Sequence, residues 1–498
     1  MIERTPDRIA NGEPGTLEEA LPSLDEITEL TALKSLDTPP ALPFAIRRAG
    51  GSKLLFVSVL RHLPGKRLVG EAHGSEGRVL AKLFMGDAAK RHSLREATGI
   101  QSLSEARIPT PEMITSETLP GGGYLLLTRY VAGATTLAEH IRAMQTARGQ
   151  EEGRILMLSQ CFRLIGQLHA SGLVHRDLHP GNFLIVAGEI MLVDGDAVSG
   201  QPGARLDESD AFANLALLIV QFPMAWTLDL VPLLAEYRQS NPCLPDNLGT
   251  LEAAVRRARD KRTADYLDKA SRTCSRYVAE RHFTGLKIVA RELQAGLRQT
   301  LADPDRAMAR GDPLKQGNTA TVSRIRQDGE LYVVKRYNIK SPLHALSRMW
   351  RPTRAWHSWL AAHRLQLLGV ATPRPLAIIE RRFGPLRGRA WLVTENCPGQ
   401  DLRERLDPSS PPESTIGKAL VELFTVLVAA RITHGDLKAT NLLWHQGKIH
   451  LIDLDALTQH ASITSFTKAW EKDRGRLIAN WPTASRLSVW LHSNLPPA

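Results

Sequence analysis

The sequence predicts an α+β chain of two tandem modules, each a small β-rich lobe followed by a helical lobe. Three observations predict it. The order of apolar segments in the first half returns in the second, a set of His, Asp and Asn residues returns with it at one constant offset, and in each half short strand-like runs precede longer helical ones.

At 498 residues the chain exceeds one compact core, and roughly 100 to 200 residues per domain allows two to four. With 43% hydrophobic and 23% charged residues it is neither collagen-like nor disordered as a whole. The net charge of +11 favours an anionic partner: a phosphorylated substrate, a nucleic acid or an anionic membrane surface. Charge alone does not choose among them. The four cysteines, Cys161, Cys243, Cys274 and Cys397, lie far apart with no CxxC pair, which argues against a zinc site or disulfide framework and for a reducing, cytosolic compartment. The opening MIERTPDRIANGEPG is polar where a signal peptide would be apolar. FANLALLIVQFPMAW, residues 212–226, is shorter than the roughly 20 residues of a membrane span and contains Asn214, Gln221 and Pro223, so a buried helix is expected there.

Residues 1–40, rich in Pro, Gly, Glu and Asp, read as a loosely ordered leader. The first module is expected over 41–300. Its runs LLFVSVL, RLVGEA and RVLAKLF predict three antiparallel strands, KRHSLREATGIQSL at 90–103 a helix, and IPTPEMI and YLLLTRYV two more extended segments. A five-stranded lobe with one helix follows. A helix over 154–172 then leads to two short strands around LVHRDLHPGNFLIV and IMLVDGDAV. A long, basic helical tract is expected over 252–282; its eight Lys or Arg against three Asp between Arg256 and Arg276 suit a solvated face or an anion contact. DPDRAMARGDP at 303–313 marks a break, and the second module, 301–498, repeats the order with KQGNTATVSRI, LYVVKRY, a helix at 354–368, ATPRPLAII, AWLVTENC and a helix ending near Arg431.

The repeat is quantitative around its chemistry. His175, Asp177, Asn182, Asp194 and Asp196 map by an offset of 259 onto His434, Asp436, Asn441, Asp453 and Asp455, and LLLTRYVAG at 125–133 aligns with WLVTENCPG at 391–399. Phosphoryl transfer from ATP needs a group to orient an acceptor hydroxyl and take its proton, and oxygen ligands for the metal on the phosphates. Asp177 and Asp436 fit the base, while Asn182, Asp194, Asn441 and Asp453 fit the metal ligands. A lone His-x-Asp would be ordinary turn chemistry. The full spaced set, present twice, is not.

Upstream, Lys82 in VLAKLF and Lys335 in YVVKRY stand where a strand lysine would grip the α and β phosphates, with Glu96 placed on a helix to orient Lys82. The equivalent of Glu96 in the second half is Ser358, with no acid nearby. Neither half has GxGxxG or a Walker A sequence, which leaves Gly65 in LPGKR and Gly317 in KQGNTATV as the turns able to cover phosphates. His175 and His434 are expected to brace the loop rather than act as bases.

At these motifs the chain resembles the bacterial lipopolysaccharide core kinases, the heptose and Kdo kinases, over roughly residues 44–290 and 312–490. The residues carrying the resemblance include LPGKRLV and RVLAKLF in the first half, and KQGNTATVSRI, VVKRYN, SWLAAHRL and KAWEKDRGRLIANW in the second. It implies protein-kinase-like bilobal modules that use ATP with Mg²⁺ or Mn²⁺ to phosphorylate an inner-core sugar. The implied partner is an anionic glycolipid met in the cytoplasm or peripherally at the inner membrane, with no nucleic acid. HRDLHPGN is also similar to the loop of aminoglycoside phosphotransferases, whereas HGDLKATN, with Lys438 beside the base as a nucleotide contact, is closer to protein kinases. A protein Ser/Thr kinase is one alternative, weakened by the lack of an APE-ended segment after Asp194 or Asp453. A pseudokinase scaffold is the other, prompted by the short end of the second half and its missing helix acid.

Overall fold

A computed structural model of the chain describes residues 28–146, 150–244, 247–338 and 351–498. It is a mixed α+β structure dividing into two compact units: residues up to Leu206 with Tyr237–Cys243, and Asp207–Glu236 with Leu244–Ala498. Packing therefore divides the chain at 207, whereas the sequence repeat divides it near 300. Most of the 1–40 leader lies outside the described residues, but its end does not behave as a loose tail. Helix α1 (Leu30–Ser35) sets Leu30 and Leu33 into the core of the first sheet.

That sheet has seven strands rather than the five expected: β1 (Phe44–Arg47), β2 (Lys53–Phe56), β3 (Arg61–Leu63), β4 (Arg67–Gly74), β5 (Gly77–Phe84), β6 (Met113–Leu119) and β7 (Gly123–Arg129). Their order is β1-β2-β4-β5-β7-β6, with β3 paired to β4. The period-2 alternation of a strand buries Val79, Ala81 and Leu83 of β5 and turns Lys82 to the opposite face. Helix α2 (Ala89–Glu105) buries Ser93, Glu96, Ile100 and Leu103, a stripe at helical spacing. Helix α3 (Glu151–Ala170) then precedes a hairpin of β8 (Phe183–Val186) and β9 (Glu189–Leu192).

In the second unit, the apolar stretch at 212–226 is a buried helix in its first part, within α4 (Glu208–Ile219). Among the described residues no helix is long and apolar enough to cross a membrane. The basic tract is helical over α5 (Leu248–Lys269) but not to 282. From Tyr277 the chain forms the antiparallel hairpin of β10 (Tyr277–His282) and β11 (Gly285–Ala290), in which Leu286 and Ile288 of β11 bury one face at period 2. Nor is the tract simply a solvated face. Arg262 donates to the Val220 carbonyl at the end of α4, and burial pulls the pKa values of Arg259 and Arg262 down.

The hairpin β10–β11 joins β12 (Asp312–Gln316), β13 (Ala320–Gln327), β14 (Glu330–Tyr337), β15 (Pro375–Phe383) and β16 (Leu386–Glu395) in the order β10-β11-β15-β16-β14-β13-β12. Helix α6 (Arg354–Leu368) packs on this sheet through Ala355 and Trp359. Further on, α7 (Ser414–Ala429), the hairpin β17 (Leu442–His445) and β18 (Lys448–Leu451), and α8 (Ile463–Ile478) share one apolar core around Phe424, Phe466 and Trp470.

Candidate active sites

In the first unit, β5 and α2 bring Lys82 and Glu96 into an ion pair between their Nζ and Oε1 atoms. Glu96 is fully buried, and its carboxylate also accepts the backbone N–H groups of Gly195 (3.1 Å) and Asp196 (3.3 Å). One acid thus ties the lysine strand to the VDGD turn. Two glycines make this possible: a Cβ on Gly99 would meet the Gly195 carbonyl oxygen at 2.0 Å, and one on Gly195 would meet the Glu96 carbonyl oxygen at 2.4 Å. Backbone lies directly on backbone there.

The loop before β8 is organised from within. His175 faces the Val193 carbonyl through Nε2 (3.1 Å), while its Nδ1 accepts the Asp177 N–H (3.3 Å), so the ring is a neutral brace; burial pushes its pKa down. Asn182 Nδ2 donates to the Asp177 carbonyl (2.9 Å), and the Asn182 carbonyl accepts the Val193 N–H (2.9 Å), which sets Asn182 beside the residue leading into Asp194. With Nδ2 committed, the Asn182 amide oxygen is the atom left for a cation. Asp194 has left-handed backbone (φ 74°), a conformation that carboxylate and amide residues tolerate better than most. Hard oxygen donors of this kind suit Mg²⁺ or Mn²⁺. The Asp177 carboxylate is mostly exposed, 3.6 Å from His179 Nε2, and open to an incoming hydroxyl.

The second unit repeats the loop closely. His434 faces the Ile452 carbonyl (2.8 Å) and accepts the Asp436 N–H (3.4 Å), Asn441 Nδ2 donates to the Asp436 carbonyl (2.9 Å), and Asp453 is again left-handed (φ 62°). Asp436 lies 2.9 Å from Lys438 Nζ and 3.5 Å from Arg476 Nη1. The lysine end differs. Lys335 pairs directly with Asp453 and sits 3.8 Å from Asp455, with its ammonium 4.9 Å from the Tyr337 ring centroid. Burial alone would raise the Asp453 pKa, but the Lys335 ammonium overrides it and holds that carboxyl well below the usual range. Burial likewise opposes the Lys335 charge, yet Tyr337, Asp453 and Asp455 keep its pKa above the ordinary lysine value. Ser358 is buried and hydrogen-bonded to the Tyr337 hydroxyl (2.7 Å).

Gly65 and Gly317 occupy matching turns, β3–β4 and β12–β13. Several contributors escaped sequence reasoning. Asp196 takes Arg95 Nε (3.1 Å) and His92 Nδ1 (3.0 Å) from α2, and Asp455 takes Arg354 Nε (2.6 Å) from α6. Both aspartates belong to the repeat, so their recurrence was the available signal. Buried Asp473 on α8 accepts the N–H groups of His434 (2.6 Å) and Gly435 (2.9 Å) and holds the second loop from below. Nothing in KAWEKDRGR distinguishes it from a surface acid.

Two segments, residues 74–213 and 306–478, match a model of the lipopolysaccharide kinase (Kdo/WaaP) family. Together they exceed half the chain, and each contains one lysine–loop–aspartate set. No curated protein matches. Among solved structures, one described as WaaP in complex with acyl carrier protein aligns at a TM-score of 0.33 and 17% identity, covering 41% of this chain and 88% of that one.

Proposed function

This chain belongs to the lipopolysaccharide kinase (Kdo/WaaP) family and is a phosphotransferase, and on that premise we propose that it moves the terminal phosphoryl group of ATP onto a heptose or Kdo hydroxyl of the lipopolysaccharide inner core. The two matched segments would be bilobal, protein-kinase-like modules, with repeats near 41–300 and 301–498. Asp177 would take the proton of the acceptor hydroxyl as its oxygen bonds to the γ-phosphorus and the bond to the β-phosphate oxygen breaks, releasing ADP. Lys82 would hold the α and β phosphates, with Glu96 orienting it. Asn182 and Asp194 would hold Mg²⁺ or Mn²⁺, which neutralises charge on the phosphates when bound. Lys335, Asp436, Asn441 and Asp453 would fill the corresponding places in the second module, and Lys438, without a counterpart among these, would contact the nucleotide.

The observation that carries this reading is the double engagement of Glu96, with Lys82 on one side and the Gly195 and Asp196 amides on the other. It prearranges phosphate and metal contacts in one unit, and preorganised charge is the main resource of phosphoryl transfer. The second module lacks that acid, which favours turnover in the first and nucleotide binding without comparable turnover in the second. An anionic glycolipid acceptor fits the +11 net charge and would put the work in the cytoplasm, peripherally at the inner membrane.

The test is the core lipopolysaccharide of cells lacking the normal gene and carrying Asp177→Asn or Asp436→Asn. Mass spectrometry should show phosphate missing from one sugar position with Asp177→Asn. Loss of two different positions, one per variant, would make both modules catalytic. An unchanged core with both folded variants would remove the lipopolysaccharide acceptor and favour a protein or small-molecule one.

A further inference from the structure

Two hairpin turns of the second unit meet at one end of its sheet. Gly285 of β11 is in register with Arg381 of β15, so the β10–β11 and β15–β16 turns lie side by side. They are zipped by backbone hydrogen bonds, from Gly384 N–H to the Phe283 carbonyl (2.8 Å) and from Arg382 N–H to the Thr284 carbonyl (2.9 Å). Each turn carries a phenylalanine. The rings of Phe283 and Phe383 stand edge to face, with centroids 4.9 Å apart, yet remain 63% and 67% exposed. Gly384 has φ +59°, and a Cβ there would meet the Phe283 ring at 3.0 Å. The glycine lets the two tips close together and present both rings outward.

The surroundings are predominantly basic. Residues 280–287 and 380–389 contain six Lys or Arg (Arg281, Lys287, Arg381, Arg382, Arg387 and Arg389) against two acids, Glu280 and Glu380. Glu380 is buried and already paired with Arg382. Arg381 is exposed, and Arg387 has a buried Nη1 without a hydrogen-bond partner among the described residues. A paired aromatic tip whose rings stay exposed, flanked by an excess of basic residues even though Arg382 pairs with Glu380 and Arg389 lies 3.8 Å from Asp305, has the composition of a bilayer interface contact: rings at the headgroup–acyl boundary, guanidiniums on lipid phosphates.

We propose that this double tip is a membrane-docking element that inserts Phe283 and Phe383 into the surface of an anionic phospholipid bilayer. A projecting, predominantly basic tip suits a lipid surface better than a protein groove. The purpose of the contact, bringing the site to a membrane-borne acceptor, rests on the function proposed above. The contact itself does not, and its test uses no phosphoryl transfer.

The full chain is sedimented with vesicles of phosphatidylcholine alone and of phosphatidylcholine mixed with phosphatidylglycerol. Wild type should bind the mixed vesicles. Phe283→Ser/Phe383→Ser should reduce that partitioning by about tenfold or more at every salt concentration, with an unchanged melting temperature. Arg381→Glu/Arg387→Glu should reduce it at low salt and converge on wild type as salt rises. Wild-type partitioning by a folded Phe283→Ser/Phe383→Ser protein would overturn the proposal, as would equal binding to both vesicle types or no binding to either.

Discussion

Tyr337 and Ser358 share a buried hydrogen bond of 2.7 Å at the place where the first unit has Phe84 and Glu96. The tyrosine follows the strand lysine by two residues in one unit and the phenylalanine does so in the other, so the exchange is local to the lysine's surroundings. Glu96 pulls Lys82 toward the helix, whereas in the second unit Lys335 turns to Asp453. The same strand and loop thus hold the lysine in two ways.

Lys82→Met should therefore lower turnover by about 100-fold or more, the usual cost of losing a preorganised donor on a developing charge. Lys335→Met should cost much less. Because Glu96 is fully buried, Lys82→Met should also lower the melting temperature by a few degrees, the two backbone N–H groups limiting the loss. Kinase assays with thermal melts check this; full activity in Lys82→Met would end the lysine assignment.

Asn182→Ala should raise the Mg²⁺ or Mn²⁺ concentration for half-maximal activity by about tenfold or more. It removes both the proposed cation oxygen and the amide that holds the Asp177 carbonyl. A metal titration of initial rates reads this directly, and an unchanged midpoint would contradict the ligand role.

Asp473→Ala should destabilise the second unit by about 3 kcal/mol, since two buried N–H groups lose a charged acceptor. Asp473→Asn, which keeps one acceptor oxygen, should lie between it and wild type. Urea melts resolve the three proteins.

His363 gives the stability a pH dependence. Burial, and then the charges of Arg374 and Arg276, pull its pKa down to about 3. It sits against Trp359, Tyr277 and Tyr266, and neither ring nitrogen has a hydrogen-bond partner among the described residues. Above about pH 6.5 the ring is neutral in both folded and unfolded chains. Below that, the unfolded chain takes up a proton that the folded one refuses, so stability falls as pH falls, by about 2 kcal/mol near pH 5. His363→Phe should flatten this part of the profile and leave the protein no less stable at neutral pH. A profile of unchanged slope would assign the effect to other groups, such as His450, whose pKa burial also lowers, to about 4.

Much of this was legible in the chain. The mixed α+β character, the strand lysines and the braced His–Asp–Asn loops follow from local periodicity and short spacing, which survive without knowledge of the fold. The extra strands β1 and β3 were not read because three- and four-residue runs are too short to show a period. The strand from Tyr277 is hidden in the sequence because its second half, Glu280, Arg281 and His282, is as charged as the helix that ends at Lys269.

The sequence by itself determined which residues recur, and at what spacing. Only the tertiary structure decided how each lysine is held, which acids are buried, and that Phe283 and Phe383 meet. The reason is physical: periodicity records the environment of each residue one turn or pleat at a time, whereas these relationships join residues 14 to 118 positions apart. They arise from sheet register and from glycine-permitted close approach, neither of which is encoded in any single stretch of the chain.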